Sequence, residues 1–368
     1  MAVRQGAVEG LGLIGTDFSS LSGKTIFLTG HTGFKGSWLT ALLGRLGCRV
    51  HGYALAPVGD PSLYTLAQTR DMLVEETVAD TRDRESLDAA LRQAEPDLII
   101  HMAAQAFVRR SYAEPAQTWD VNVMGTVNVL EAARFIPSIK GVLVVTTDKC
   151  YENRAWEWGY REIDPLGGHD PYSASKAGTE LVVQSYRRSF FAYGDAVLVS
   201  ARAGNVIGGG DWSQDRLLAD AARATLAGTT LVVRNPDATR PWQHVLDCLS
   251  GYLSIAERMI VEPANLADAY NFGPDAADNV SVGQVLSRLQ RHWPELKWVA
   301  EQRAPSSAPH EASQLYLDSA RARQQLGWRP VWSLDKALEQ TAKWYRRAGE
   351  VPGEAGLLVR AQIDEFLA

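Results

Sequence analysis

Gly30, Gly33 and Gly36 stand at GxxGxxG spacing in the stretch TGHTGFKG. A β-branched and apolar run, residues 24–28, leads into them, and SWLTALLGRLG reads as a helix up to Gly44 or Gly47. In such a turn one glycine permits the tight reversal, one lets the backbone approach a pyrophosphate, and one lets the helix pack close to the sheet. The anion would sit at the helix N-terminus, where unsatisfied N–H groups point at it. Glycines at this spacing are common in α/β chains; the strand–turn–helix context is what predicts a dinucleotide-binding unit.

The alternation continues. CRVHGYALAP (48–56) reads as a second strand, TVADTRD closes a third at Asp80, PDLIIHMAAQ gives a fourth over 97–101, and GVLVV (141–145) a fifth. DAVLVSARAGNVIGGG supplies a sixth strand and a mobile glycine loop. Six strands separated by helical segments predict an α/β fold, a Rossmann-type doubly wound parallel sheet, with a smaller, mainly C-terminal substrate-binding α/β domain. The expected boundaries are an N-terminal extension (1–21) and a dinucleotide-binding domain (22–205, with a returning segment near 241–265). The substrate-binding domain takes 206–240 and 266–368. Residues 301–310 are the most flexible internal candidate.

Composition excludes several classes. A net charge of −6 argues against a general nucleic-acid binder. The three cysteines, Cys48, Cys150 and Cys248, are far apart, with no CxxC pair and no Cys/His spacing for a metal. Glu9 and Asp17 interrupt the first 20 residues, so no signal peptide is expected, and no apolar run reaches membrane length. A cytoplasmic protein is the expectation.

The chemistry concentrates in TTDKCYENRAWEWGYREIDPLGGHDPYSASK, residues 146–176. Asp148 and Lys149, a potential acid and a potential base, follow the fifth strand at its carboxyl end, where open α/β sheets bind ligands. Tyr172 and Lys176 are four residues apart and share one face of a predicted helix. Asn122 falls in the apolar pattern WDVNVMGTVNVL, where it either fills a gap in helix hydrogen bonding or orders a proton path.

TGHTGFKGSWL, TTDKCYENRAWEWGYRE with YSASK, GNVIGGGDWSQDR and RPWQHVLD together resemble the extended short-chain dehydrogenase/reductase superfamily. Within it they resemble the nucleotide-sugar 4,6-dehydratases, in particular the branch acting on CDP-glucose. LGWRPVWSLDKAL near the C-terminus also fits. The resemblance implies bound NAD that is reduced and reoxidised in each turnover, no metal, CDP-glucose as substrate, and a homodimer. The hexose C4 hydroxyl is oxidised, water leaves across C5 and C6, and hydride returns to C6.

Carried onto this sequence, the resemblance makes Tyr172 the acceptor of the C4 hydroxyl proton. Lys176 binds the nicotinamide ribose and keeps Tyr172 phenolate-like, and Thr147 hydrogen-bonds near the C4 oxygen. Asp148 resembles the general acid for the C6 hydroxyl, which requires a raised pKa. Lys149 stands where the dTDP-glucose branch has a glutamate base, so it is either a neutral base at C5 or an electrostatic stabiliser of the enolate. The implied cofactor set is Gly30, Thr32, Gly33, Phe34, Lys35, Gly36, Asp80, Ala103, Ala104, Tyr172 and Lys176. The implied substrate set is Gln105, Asn205, Trp212, Arg216, Arg234, Arg240 and His244, with two of the three arginines on the pyrophosphate.

Other residues carry two readings. Asp80 contacts adenine or caps the next helix. His31 is exposed enough to cover a cofactor phosphate or merely accommodates the turn. Tyr151 packs or lines the sugar site, and His169 and Asp170 read as loop and N-cap residues ahead of catalysts. Arg202 borders the substrate domain, and Gln243 and His244 support nucleotide or brace a turn. The second strand lacks an acidic residue at its end, and Asp60 lies beyond Pro57 and Gly59, so this feature leaves NAD against NADP open. The rival functions are dehydration of another nucleotide-hexose, a nucleotide-sugar 4-epimerase or simple dehydrogenase, and an NAD-binding scaffold.

Overall fold

The runs read as strands are apolar at consecutive positions, which requires cover on both faces. The computed structural model, which describes residues 18–301 and 315–368, provides it. β1 (Thr25–Thr29), β2 (Arg49–Ala54), β3 (Glu75–Val78), β4 (Leu98–His101), β5 (Gly141–Val145) and β6 (Val197–Ala203) form a parallel sheet with a seventh strand, β10 (Ala269–Phe272). The order is β3-β2-β1-β4-β5-β6-β10. The chain reverses direction of travel between β1 and β4, so the crevice above their carboxyl ends is the natural ligand position. Strand ends for the first five fall within two residues of those read from sequence.

Alternate residues serve opposite layers. Ile26, Leu28, Leu98, Ile100, Leu143 and Val145 join one cluster with α1 (Phe34–Arg45) and α9 (Val245–Val261). Phe27, Ile99, Val142 and Val144 join the other with α3 (Arg84–Ala94), α6 (Gly125–Ala133) and α7 (Pro171–Tyr186). The short helices α2 (Leu63–Leu66), α4 (Val108–Ala113) and α5 (Pro115–Trp119) lie in connections. Between α5 and α6 the chain makes a π-helical turn, Asp120–Met124.

Beyond β6 the structure differs from the sequence reading in instructive ways. β7 (Asn205–Ile207) and β9 (Thr239–His244) pair in parallel, and β11 (Asn279–Ser281) adds antiparallel, so residues read as a turn form a central strand. β8 (Leu231–Val233) pairs with β12 (Trp298–Ala300). The helix expected from 211 begins at Leu217 as α8 (Leu217–Leu226), leaving 211–216 as a loop over the crevice. The returning segment expected near 241–265 extends through β10, which pairs with β6. α10 (Val282–His292), α11 (Ala320–Gln325), α12 (Leu334–Glu350) and α13 (Ala355–Leu367) complete the chain. Phe18 and Leu21, within the expected extension, are buried in the same cluster as Phe366, and 302–310 of the segment expected to be flexible lies outside the described residues.

The glycine loop expected to be mobile is packed. A Cβ on Gly209 would stand 2.0 Å from the Trp344 ring, and Trp38 Nε1 donates to the Gly209 carbonyl at 3.0 Å. The tryptophans Trp38, Trp242, Trp293, Trp328, Trp332 and Trp344 all belong to this core. Among the described residues no helix is long and apolar enough to cross a membrane.

Gly209→Ala should lose about 1–3 kcal/mol or more of unfolding free energy through overpacking against Trp344. Gly353→Ala, whose Cβ would meet nothing within 4 Å, should stay within about 0.5 kcal/mol. Urea denaturation of both variants checks the contrast.

Candidate active site

A cleft of about 1560 Å³ opens above the carboxyl ends of β1, β4, β5 and β6. Its floor is the glycine turn, where the three glycines have different physical reasons. Gly30 has φ +78°, and a Cβ there would stand 2.8 Å from the Ala103 nitrogen; a Cβ on Gly36 would stand 2.1 Å from the Gly30 oxygen. Gly33 has ordinary φ −78°, and its Cβ would meet nothing nearer than 3.4 Å. Its missing side chain therefore serves the cleft instead of the fold. It leaves the first-turn N–H groups of α1 open to an anion, as a dinucleotide pyrophosphate requires.

Thr32, Phe34, Lys35, Ala103, Ala104 and Asp80 line the same wall. Thr32 donates to the Leu55 carbonyl at 2.9 Å, and Lys35 Nζ donates to the Tyr252 hydroxyl at 3.2 Å. Asp80 is gripped by Arg82, whose guanidinium holds its carboxyl below the usual range. Asp80 does not cap α3; Asp83 does, accepting from Ser86 N at 3.1 Å. Asp60 lines the cleft beside Leu55 and Ala56. His31 is turned inward, against the expectation of exposure. Gly52 has no side chain, so the His31 ring packs there and its Nε2 meets Glu76 Oε1 at 2.7 Å.

Two residues beyond β5, Thr147 caps a single 3-10 turn, Asp148–Cys150. Thr147 Oγ1 donates to Asp148 Oδ1 at 3.0 Å, while Asp148 Oδ2 is buried without a hydrogen-bond partner among the described residues. Burial raises the Asp148 pKa, and burial together with the Arg240 charge lowers that of Lys149. The adjacent pair is thereby biased toward carboxylic acid and neutral amine.

Asp170 caps α7, accepting from Ser173 N at 2.9 Å, with Pro171 in the first turn. This sets Tyr172 and Lys176 over the cleft. Burial pushes the Tyr172 phenol up to about 12, opposed by the Arg216 charge and a hydrogen bond with Thr147. Burial and the Lys35 charge push Lys176 down to about 8. Its Nζ donates to the Val145 carbonyl at 3.2 Å. Burial thus works against the phenolate-like state expected of Tyr172, and the Arg216 charge and Thr147 work for it.

Asn205, Trp212, Arg216 and Arg234 line the cleft as expected of a substrate wall. Three expected members do not. Gln105 is buried, with its amide spent on Phe107 N, the Phe107 carbonyl and Thr118 Oγ1. His244 caps α9 by accepting from Leu246 N at 3.2 Å and packs against Trp332. Arg240 is buried beneath the wall, donating to the Thr239 carbonyl at 2.8 Å, close enough for its charge to act on both Asp148 and Lys149. Arg202 is also buried, paired with Glu180, and Gln243 donates to the Phe272 carbonyl. Tyr151 both packs, stacked on Tyr160, and reaches the cleft, as does His169.

Asn122 sits in the π-helical turn, accepting from Gln105 N at 2.8 Å and donating to Ser175 Oγ at 2.8 Å. It ties the 103–107 loop to α7. Sequence reasoning missed Arg109 and Asp215, an ion pair at 3.0 Å across the cleft mouth, and Arg223 and Asn153. Arg109 in FVRRSY was a visible basic signal, but nothing in the sequence directed it to Asp215. Among the described residues no cluster of His, Cys, Asp and Glu could hold a metal.

The family model for GDP-mannose 4,6 dehydratase matches residues 27–341. A CDP-glucose 4,6-dehydratase of Salmonella typhimurium is 44% identical, over 94% of this chain and 97% of its own. A dTDP-glucose 4,6-dehydratase of Xanthomonas campestris is 26% identical over 87% of this chain and 93% of its own. Among solved structures, an epimerase of Methanothermobacter thermautotrophicus superposes with TM-score 0.79 at 21% identity, covering 94% of this chain and 99% of that one. A UDP-glucose 4-epimerase of Thermus thermophilus, in complex with NAD, gives 0.74 at 23%, covering 88% and 99%.

Gly33→Ala should leave the unfolding midpoint of dinucleotide-free protein unchanged and weaken dinucleotide binding about tenfold or more, the cost of one displaced charge-assisted hydrogen bond. Calorimetric titration beside thermal melting separates the two effects.

Proposed function

The chain belongs to the GDP-mannose 4,6-dehydratase family, and we propose that it is an NAD-dependent lyase converting CDP-D-glucose to CDP-4-dehydro-6-deoxy-D-glucose and water. One observation carries the reading. A Tyr/Lys oxidation pair and an Asp/Lys acid–base pair with opposed pKa shifts line one cleft with the glycine turn. An epimerase needs only the first pair, and a scaffold needs neither. The choice of CDP-glucose rests on the 44% identical relative.

NAD, when bound, supplies the hydride acceptor for C4 and the hydride donor for C6. Gly30, Thr32, Gly33, Phe34, Lys35, Gly36, Asp80, Ala103, Ala104 and Lys176 hold it, with Gly33 leaving room for the pyrophosphate. Tyr172, as its phenolate, takes the C4 hydroxyl proton, and the Arg216 charge favours that ionisation. Thr147 holds the C4 oxygen. The C4 ketone acidifies the C5 hydrogen, which Lys149 removes as a neutral amine. The lowered pKa favours this role over that of a cationic stabiliser. Asp148, held protonated by burial, donates to the departing C6 hydroxyl. Lys149 returns its proton to C5 as C6 is reduced. Arg216 and Arg234 face the diphosphate, and Asn205 and Trp212 hold the remainder of the nucleotide.

The domain division rests on the same logic, with 22–205 and its returning segment holding the dinucleotide and 206–240 with most of 266–368 holding the nucleotide sugar. A homodimer in the cytoplasm completes the proposal. Trp119, Met124 and Leu181 are large exposed apolar groups on the α5–α7 surface, the kind of face a second copy covers. Light scattering should give twice the chain mass, and Leu181→Glu should halve it.

The functional test offers CDP-, dTDP-, GDP- and UDP-glucose deuterated at C4 to wild type and to Asp148→Asn. Wild type should yield the 4-dehydro-6-deoxy product from CDP-glucose with deuterium at C6. Asp148→Asn should still oxidise C4, seen as cofactor reduction, and lose product formation about 10²–10⁴-fold. Turnover of a different nucleotide alone would remove the CDP assignment, and an undiminished product rate would remove the acid.

A further inference from the structure

Behind the catalytic turn lies a buried ion pair with no part in the chemistry above. Glu180 follows Lys176 by four residues and Tyr172 by eight, so the three lie along one side of α7. Its carboxylate meets Arg202 of β6 at 2.7 Å, and each residue is 1% exposed. Glu180 Oε1 accepts from Thr146 Oγ1 at 2.5 Å, and Oε2 accepts from Ser200 Oγ at 2.8 Å. Arg202 Nη1 donates to the Tyr151 hydroxyl at 2.8 Å, and that hydroxyl donates to Asn271 Oδ1 at 2.7 Å. Thr146 and Tyr151 are the residues on either side of Thr147–Cys150.

Such a pair is a poor source of stability compared with apolar residues of similar volume. What it supplies is a fixed geometry, because the groups it joins come from α7, β6, β10 and both ends of the turn. We infer that Glu180 and Arg202 are a positioning pair that clamps both ends of the Thr147–Cys150 turn against the helix bearing Tyr172 and Lys176. The clamp fixes the register between the oxidising and the eliminating groups. The inference rests on the dehydratase reading for its kinetic consequence, and on geometry alone for its structural one.

Glu180 also bears on Lys176 electrostatically. The charged or titratable groups facing Lys176 are Lys35 from α1, Cys150 from the turn, His101 from β4 and Glu180 from its own helix. Glu180 opposes the depression of the Lys176 pKa, so its neutralisation lowers that pKa further, and the ammonium is lost at lower pH. A role confined to packing would not move that titration.

The test compares wild type, Glu180→Gln and the double variant Glu180→Gln/Arg202→Met, which removes both charges and so leaves neither uncompensated. In the double variant, amide hydrogen exchange over 146–151 should rise while distant peptides stay unchanged. With CDP-glucose, elimination should fall about 100-fold relative to C4 oxidation, as expected for a misplaced catalytic group, with KM unchanged. The alkaline limb of C4 oxidation should move below about 8. Wild-type exchange, an unaltered ratio of the two steps and an unmoved limb would overturn the clamp. A wild type that processes no nucleotide-hexose strikes the dehydratase reading alone, because the exchange measurement needs no substrate and still decides the clamp.

Discussion

Exclusion of water from the carboxyl end of β5 is the constraint on which this site depends. Asp148 and Lys149 are ordinary titratable groups that in water would both stand charged, the wrong combination for the proposed elimination. Burial favours the neutral form of each, raising the carboxyl and lowering the amine, while at Tyr172 and Lys176 the same burial works against the charged pair that the proposed oxidation uses. Two adjacent residues of opposite character are thus biased toward the acid and the base that the proposed reaction needs. The flanking cations then tune the result. Arg240 presses on Lys149 and Lys35 on Lys176, each making the ammonium harder to keep.

The fold supplies that exclusion cheaply because the sheet is covered on both faces. Alternate residues of β1, β4 and β5 enter different clusters, so the strand ends emerge from a core already closed on two sides. The third side comes from the small sheet β7-β9-β11, which grows directly out of β6 and carries Arg240 under the catalytic turn. Gly204 lies at that junction. A Cβ there would stand 2.5 Å from the Pro241 ring and 3.0 Å from Asp148 Oδ2. The glycine therefore lets the second sheet approach the acid closely enough to dry it.

What could be read from the sequence was local. The glycine turn and the Tyr172/Lys176 pair are defined by spacings within one turn or one helix, and the strand runs by uninterrupted apolar character, so each could be placed before any fold was known. What escaped depends on pairs distant in the chain. Arg202 could be read only as bordering the substrate domain until β6 was laid beside α7 and Glu180, 22 residues earlier, claimed it. His31 looked exposed because nothing local announces that Gly52 offers its ring a berth. Gln105 and His244 carry side chains suited to a ligand, yet loop and helix N–H groups, which no spacing rule assigns, occupy them first. AYNF reads as a strand from its own sequence, but its place as the seventh strand beside β6 follows only from the return of α9.

The proton count of the proposed cycle explains why Thr147 stands where it does. Oxidation at C4 leaves a proton on Tyr172, while departure of the C6 hydroxyl as water takes one from Asp148. Lys149 gains a proton from C5 and gives it back to C5, so it ends as it began. The enzyme is therefore left with one proton too many on the phenol and one too few on the carboxyl. Thr147 lies beside both: its Oγ1 donates to Asp148 Oδ1 at 3.0 Å, and its hydroxyl favours ionisation of the Tyr172 phenol. A hydroxyl can accept from one neighbour while donating to the next, so in the proposed cycle Thr147 would carry the proton from the phenol to the carboxylate across a single side chain. The burial that favours Asp148 as the acid of the proposed cycle calls for an internal route to restore its proton, and Thr147, two residues beyond β5, is placed to give one.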